Sequence, residues 1–270
     1  MEIQKNHYLS DIINRINIEI LDSGFVYADT EWYDKNICSP FSRIYFIESG
    51  EGIIKYDNKK IVLKPGYIYL IPTGLRYSYL CESKMSKLFF HINIYKPDGY
   101  DIFSNIGRCV STKCDIEDIK TLKNLYMGTT VSKTLQLKME LYSVTSMFIS
   151  KLNLDTVASE QHSPVVQKAI DYIQLNLSDN LTVGELCKKL YISESTLRKN
   201  FKKEVGTTIG KYIDDLLFFT AQKLLQKSEW TIGQISESLG FCDQFYFSRK
   251  FKERYQITPL KYRKKGKSPL

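Results

Sequence analysis

The sequence predicts an α+β protein of two domains: an antiparallel β domain with a helical pair, then an all-α domain with two helix-turn-helix motifs. Three observations predict it. Residues 25–97 hold short alternating apolar runs, a helical period of 3.6 begins after Asp115, and a segment near the C-terminus occurs twice. We expect a first domain over residues 1–152, a linker over 153–164 and a second domain over 165–270.

The β prediction rests on runs rich in Phe, Tyr and Ile that are separated by turn residues. Asp57 and Asn58 lie between two such runs, which is typical of a two-residue hairpin turn. Strands at this spacing favour an antiparallel barrel or sandwich. Two helices are expected next, over residues 115–127 and 132–152. The second carries one apolar stripe, made of Leu137, Leu141, Val144 and Phe148.

Charge is distributed unequally between the two halves. Residues 1–163 contain 19 basic and 19 acidic side chains, whereas residues 164–270 contain 19 basic and 11 acidic ones, so the net charge of +8 lies in the second half. This confinement favours a surface for nucleic-acid phosphates over a merely solubilising surface. The polar, non-periodic stretch at 153–164 separates the two halves.

The repeated segment predicts two helix-turn-helix motifs, one at about 183–205 and one at about 232–255. The copies run from Leu181 to Ile213 and from Trp230 to Arg263. Each has a short amphipathic helix, a tight turn with a polar cap and a basic helix. Two motifs in tandem indicate double-stranded DNA as a partner.

The basic helix of each copy divides into a buried face and a polar face. Leu197 and Phe201 in the first copy, and Phe247 and Phe251 in the second, have the spacing of core residues. The polar faces supply the predicted DNA-binding residues: Ser195, Thr196, Arg198, Lys199 and Lys202, then Gln244, Phe245, Ser248, Arg249 and Lys252. Arg suits guanine and Gln suits adenine in the major groove, although any one of these residues could instead be solvated.

The second copy carries a set of residues that marks a known family. They are Gly240, Phe241, Asp243, Tyr246, Phe247, Ser248, Arg249, Phe251, Lys252, Thr258, Pro259, Tyr262 and Arg263. Over Val165 to Lys264 the chain resembles the AraC/XylS transcription regulators. The resemblance implies a seven-helix domain that enters adjacent major grooves. By position it implies these base readers: Ser195, Arg198 and Lys199, then Gln244, Phe245 and Arg249. Phosphate contacts are expected from Lys202, Lys203, Lys252 and Arg263.

The chain departs from that family at four positions. Gln256 stands where the family usually has Gly, and Ile209 where it has Pro. Asp215 and Leu217 stand where it has Arg. We therefore expect some backbone strain at Gln256, because Gly tolerates a helix-ending turn better. Asp215 is expected either to repel phosphate or to face inward.

The first domain resembles a cupin. Gly66, Pro72, Gly74 and Tyr77 have the spacing of the second cupin motif, with Tyr77 where metal-binding cupins place histidine. The chain has only three histidines, far apart in sequence, so neither a metal nor another cofactor is expected. The domain is instead similar to the cupin-like effector-sensing barrel of sugar-responsive AraC members.

Strand alternation and this resemblance together select candidate effector-binding residues. They are Arg43, Tyr45, Ser49, Tyr77, Tyr79, Lys87, Phe89 and His91. An Arg, several Tyr hydroxyls and an aromatic wall suit a polyhydroxylated ligand such as a carbohydrate. The alternative is that these side chains simply fill a small barrel.

The resemblance implies a sequence-specific transcription activator, controlled by a sugar or related polyol, that acts in the cytoplasm and contacts RNA polymerase. It also implies a homodimer formed through the helical pair, although the Leu137 stripe could instead pack on its own barrel. Two alternative functions stay open. One is a family member without a small ligand, controlled by a protein partner or by abundance. The other is a metal-dependent cupin enzyme with an appended DNA-binding domain.

Other functions are not expected from the sequence. Six cysteines without CxxC spacing indicate a reducing compartment. No signal peptide and no apolar run long enough to span a membrane are predicted, so no membrane partner is expected. No catalytic residues are predicted, because GxSxG and phosphate-cradling motifs are absent.

Overall fold

The computed structural model describes residues 16–96, 98–104, 106–154 and 162–266. Two compact units are present. We call the unit with described residues 16–96, 101–104 and 106–154 the β unit, and the unit with described residues 98–100 and 162–266 the helical unit. Most of the predicted linker, residues 155–161, lies outside the described residues.

The β unit contains two antiparallel sheets. Its described strands are β1 (Ile18–Ala28), β2 (Tyr33–Cys38), β3 (Ser42–Gly50), β4 (Gly52–Tyr56), β5 (Lys59–Leu63), β6 (Tyr67–Ile71), β7 (Arg76–Leu80), β8 (Met85–Ile94) and β9 (Val110–Lys113). One sheet has the order β1-β8-β3-β6-β9 and the other β2-β7-β4-β5. Asp57 and Asn58 join β4 to β5 with φ angles of 44° and 60°, which confirms the predicted hairpin.

The two faces of the five-stranded sheet have different neighbours. The face toward the four-stranded sheet packs into an aromatic core that includes Tyr45 and Phe89. The opposite face carries Phe46 and Phe90 and is covered by two helices, α1 (Ile116–Tyr126) and α2 (Val131–Lys151). The predicted helical pair is thus confirmed, and it covers a sheet face that would otherwise expose aromatic surface to water.

The predicted role of the Leu137 stripe in dimerisation needs correction. Leu141 and Phe148 are 1% and 0% exposed, and Leu137 and Val144 pack against the same core of the β unit. The stripe packs within its own chain, because the apolar outer face of the five-stranded sheet has to be buried away from water.

The described part of the helical unit contains seven helices, as expected. They are α3 (Pro164–Leu175), α4 (Val183–Leu190), α5 (Glu194–Val205), α6 (Ile209–Lys227), α7 (Ile232–Ser238), α8 (Gln244–Tyr255) and α9 (Pro259–Gly266). The pairs α4–α5 and α7–α8 are the predicted helix-turn-helix motifs. Each recognition helix begins at a side-chain cap: Ser193 accepts from the Thr196 amide, and Asp243 accepts from the amides of Phe245 and Tyr246.

Helix α6 belongs to two hydrophobic cores, one for each motif. Its first turns place Ile209 and Tyr212 in a core with Phe201 of α5. Its later turns place Phe218 in a second core with Phe251 of α8. Because one rigid helix packs against both motifs, it fixes the position of one recognition helix relative to the other within the helical unit.

Two further observations apply only to the described residues. No helix among them is long and apolar enough to cross a membrane. Nowhere in the described ranges do three or more His, Cys, Asp or Glu side chains come together as a metal site would require.

Candidate nucleic-acid interface and effector site

Helix α5 presents the predicted polar face to solvent. Leu197 and Phe201 are completely buried. The five predicted DNA-binding residues of this helix are exposed: Ser195, Thr196, Arg198, Lys199 and Lys202. The helical period alone places them there, because two aromatic or aliphatic residues four positions apart fix which face turns inward.

Helix α8 repeats this arrangement with one difference. Phe247 and Phe251 are completely buried, while Gln244, Phe245, Arg249 and Lys252 are exposed and Ser248 is half-buried. Phe245 stands out, because 76% of an aromatic residue in the first turn of the helix faces solvent. An apolar side chain in this position can contact the methyl group of thymine in a major groove.

Both arginines that could read bases have partners in the chain. Arg198 donates from Nε to Glu194 Oε1 at 2.7 Å, one turn earlier in the helix. The Arg249 guanidinium lies 5.4 Å from the ring centroid of Tyr246. An exposed pair within a helix contributes only about 0.3–0.5 kcal/mol, so Arg198 can leave Glu194 for guanine at small cost.

The predicted phosphate contacts divide into two groups. Lys202, Lys203 and Lys252 are exposed, as a contact to phosphate requires. Arg263 is engaged elsewhere: it is half-buried, and its Nε donates to the Leu225 carbonyl at 3.2 Å, near the C-terminal end of α6. Arg263 thus satisfies a carbonyl near the end of α6, and its phosphate contact stays a prediction.

Asp215 faces inward, which decides between the two expectations for it. Its side chain is 16% exposed and forms an ion pair with Arg254 of α8. Lys211, one turn earlier on α6, lies 3.3 Å from the other carboxylate oxygen. The carboxylate thus ties α8 to α6, and its charge is compensated within the helical unit.

The interior of the β unit brings together seven of the eight predicted effector residues. Arg43, Tyr45, Tyr77, Tyr79, Lys87, Phe89 and His91 are all buried. Ser49 is a correction: it is exposed, and its hydroxyl lies 2.7 Å from that of Ser86. The register of β3 against β8 shifts between Ile47 and Ser49, so the simple alternation that placed Ser49 inside fails there.

Trp32 belongs to this interior, although strand alternation does not predict it. It is 5% exposed and lies in the connection between β1 and β2, with its ring 4.4 Å from that of Tyr79. The Lys87 Nζ atom lies 4.0 Å from the Trp32 ring centroid and 3.6 Å from that of Tyr45. The sequence offers one signal for a buried role. Trp32 is one of two tryptophans in the chain, and it lies among polar residues that indicate a turn.

Burial has the largest effect on the pKa values of Lys87, His91 and Tyr79. It lowers the pKa of Lys87 and of His91 well below their usual values, and the charge of Arg43 lowers both further. His91 Nδ1 lies 3.5 Å from Asp22 Oδ2. Burial also raises the pKa of Tyr79 to about 12, so its hydroxyl stays protonated. The interior therefore offers neutral hydroxyls, an imidazole and amine or guanidinium donors, a set suited to an oxygen-rich ligand.

Comparison with known proteins gives the same assignment for the helical part. Residues 186–265 match the family model described as a helix-turn-helix domain. The regulatory protein PocR of Salmonella typhimurium is 33% identical over 114 residues, which are 42% of this chain and 38% of PocR. The chain thus spans well under half the length of that relative.

Two other relatives extend over most of the chain. The lactose operon transcription activator of Staphylococcus xylosus is 24% identical over 235 residues, covering 82% of this chain and 83% of that protein. A solved structure of ToxT from Vibrio cholerae is 18% identical, covers 90% of this chain and 97% of its own, and has a TM-score of 0.56. At this sequence identity, the similarity to ToxT shows a shared fold alone.

The two units and the exposed polar faces of α5 and α8 define a two-domain protein with two helix-turn-helix motifs. Of the relatives named above, one is a regulatory protein and one is a transcription activator. Over most of its length the chain is similar to regulators of the AraC/XylS type; the arabinose operon regulatory protein of Escherichia coli is 22% identical over 226 residues, covering 79% of this chain and 77% of that protein.

Proposed function

We propose that the chain binds operator DNA through α5 and α8 in successive major grooves and activates transcription there. The observation that carries this proposal is the exposed polar face of both helices above fully buried aromatic anchors. The basic excess of the C-terminal half supplies attraction to phosphate. As an activator, the chain would contact RNA polymerase in the cytoplasm.

Within this interface, the base readers are Ser195, Arg198 and Lys199 of α5 and Gln244, Phe245 and Arg249 of α8. Lys202, Lys203 and Lys252 contact phosphate. Their exposure supports these roles, and Arg and Gln each present a pair of groups that matches one purine edge.

The test compares three variants on an operator selected from random DNA. Arg249→Ala is expected to lose about 1–3 kcal/mol on that operator and to relax the preference at one base pair. Lys252→Ala should weaken operator and random DNA equally and lower the slope of log affinity against log salt by about one. Lys168→Ala, an exposed change on α3, serves as the matched control. Equal loss on both DNAs for Arg249→Ala would make it a phosphate contact.

We further propose that a small molecule bound between the two sheets controls this activity, and that it is a sugar or related polyol. The buried Arg, Tyr, Lys and His side chains in that interior support the proposal. The relative named as a lactose operon activator makes a sugar-related effector a natural first choice. Such a ligand would act by binding two arrangements of the chain with different affinity.

One observation favours a second candidate, a regulator of this family without a small ligand. Tyr45, Tyr77 and Lys87 are at most 2% exposed, so side chains of the chain itself occupy much of the interior. A protein partner or abundance would then control the regulator. Thermal unfolding of the full chain with sugars and polyols separates the candidates, since a ligand at a hundredfold over its Kd stabilises the folded state by about 2.7 kcal/mol.

We also propose that the chain is a homodimer through the solvent face of α2. With the Leu137 stripe packed on its own sheet, a second row remains exposed: Val131 (78%), Leu135 (57%), Met139 (68%) and Tyr142 (39%). These positions follow one helical face. A homodimer is also what the resemblance to AraC/XylS regulators implies.

A further inference from the structure

Lys87 places a basic side chain in the middle of the β unit. The residue is completely buried, and its Nζ atom has no hydrogen-bond partner among the described residues. The rings of Tyr45 and Trp32 enclose it at 3.6 and 4.0 Å. Of the charged and titratable groups acting on it, the Arg43 guanidinium repels a proton and the Cys81 thiol opposes that effect more weakly.

This environment does not compensate a positive charge. Contact with two aromatic faces offsets only part of the cost of burying an unpaired ammonium, so burial favours the neutral amine. An apolar side chain of similar volume, such as methionine, would fill the space without that cost. The imbalance is removed if an anion from outside the chain enters the site.

Other polar atoms nearby also lack partners. The Trp32 indole nitrogen and His91 Nε2 are buried without hydrogen bonds among the described residues. An indole N–H and a lysine amino group both donate, so an incoming ligand must supply acceptor oxygens. Trp32 lies in the connection between β1 and β2, and its carbonyl accepts a hydrogen bond from the Cys81 amide at 3.1 Å.

We propose that the effector is an anionic, hydroxylated small molecule, a sugar acid or a sugar phosphate, whose anionic oxygens bind Lys87 Nζ and Trp32 Nε1. The inference rests on the proposed effector function and specifies its ligand class. A carboxylate or phosphoryl group supplies several acceptor lone pairs, enough for both donors. The hydroxyl groups of the ligand then reach His91 and Tyr79.

The experiment uses the full chain with Trp230→Phe, which leaves Trp32 as the single tryptophan. Trp32 fluorescence is titrated with three matched pairs: glucuronate and glucose, galacturonate and galactose, and glucose 6-phosphate and glucose. At least one acidic probe is expected to bind roughly 10- to 100-fold more tightly than its neutral partner. The uronates and the phosphate distinguish a carboxylate from a phosphoryl group as the source of charge.

Variants test the role of Lys87 itself. Lys87→Met should abolish the preference for the acid, Lys87→Arg should retain it, and Lys84→Met, at an exposed position just before β8, should leave it unchanged. The inference is wrong if no acidic probe exceeds its neutral partner, or if Lys87→Met binds the acid as well as the parent chain does. If a neutral sugar binds and no acidic probe does, the proposed anionic class of the ligand is wrong, but the proposed effector function is not. Operator binding, measured on the same preparation, tests the regulator function separately.

Discussion

The burial of Lys87 has a consequence for stability that does not depend on any ligand. Its pKa in the folded chain lies well below the ordinary 10.5, so folding releases a proton at intermediate pH. Replacement by methionine removes the unpaired group and keeps the volume. We expect Lys87→Met to raise the free energy of unfolding of the β unit by about 1–3 kcal/mol at neutral pH.

The sign of the pH dependence follows from the direction of that pKa shift. Between the folded and unfolded pKa values the unfolded chain binds more protons, so the stability of the parent chain rises with pH. The advantage of Lys87→Met should therefore be largest near pH 7 and shrink toward pH 10. Urea unfolding followed by Trp32 fluorescence, with Trp230→Phe in both chains, measures it. A difference that stays constant with pH, or an equal effect of Lys84→Met, would contradict the prediction.

At the scale of the elements, the two recognition helices end in the same backbone conformation with different residues. Gly206 ends α5 at φ 79°, and Gln256 ends α8 at φ 60°. A left-handed conformation costs a non-glycine residue about 1 kcal/mol. Gln256 regains part of this through a 2.8 Å hydrogen bond from Nε2 to the Glu253 carbonyl, which is exposed to solvent. The strain expected from the sequence at Gln256 is thus located at the helix end.

We expect Gln256→Gly to raise the stability of the helical unit by about 0.5–1 kcal/mol, and the reciprocal Gly206→Gln to lower it by a similar amount. Urea unfolding followed by Trp230 fluorescence, with Trp32→Phe in every chain, reports on this unit. A loss of stability in Gln256→Gly would mean that the glutamine side chain contributes more than its backbone strain costs.

How far the sequence predicts each element depends on how local its causes are. The polar face of α5 follows from Leu197 and Phe201 one turn apart, and the β4–β5 turn follows from Asp57 and Asn58. Ser49 could not be placed, because a register shift depends on the partner strand. The enclosure of Lys87 also required the structure, because it depends on Trp32, Tyr45 and Lys87, which come from three separate parts of the chain.

Helix α2 shows the same limit. The sequence predicts the stripe from Leu137 to Phe148 either as a dimer interface or as packing on its own barrel. The outer face of the five-stranded sheet decides for packing, because it covers this stripe and leaves the row from Val131 to Tyr142 exposed. Tertiary packing, rather than the pattern itself, therefore identifies the row that remains for a partner.

At the scale of the whole molecule, the exposed row of α2 predicts the state of assembly. A dimer would join two helical units and four recognition helices, so binding to paired sites on one DNA would gain from effective concentration. We expect the chain to sediment at twice the 31.4 kDa mass of one copy. The double change Leu135→Asp and Met139→Asp should convert it to a monomer, because each buried apolar side chain contributes about 1.5–3 kcal/mol and a desolvated carboxylate opposes association.

Gln136→Asp is the matched control, since it adds a carboxylate at an exposed position beside the row rather than within it. It should leave the sedimentation of the chain unchanged. The monomeric variant should retain affinity for a single operator site and lose the additional affinity for two sites in tandem, which gel-shift titration on one-site and two-site DNA would separate. If the parent chain sediments as a monomer, or if the control dissociates as readily as the double variant, the row on α2 is not the dimer interface. Its exposed apolar surface would then belong to contact with another protein, of which RNA polymerase is the first to test.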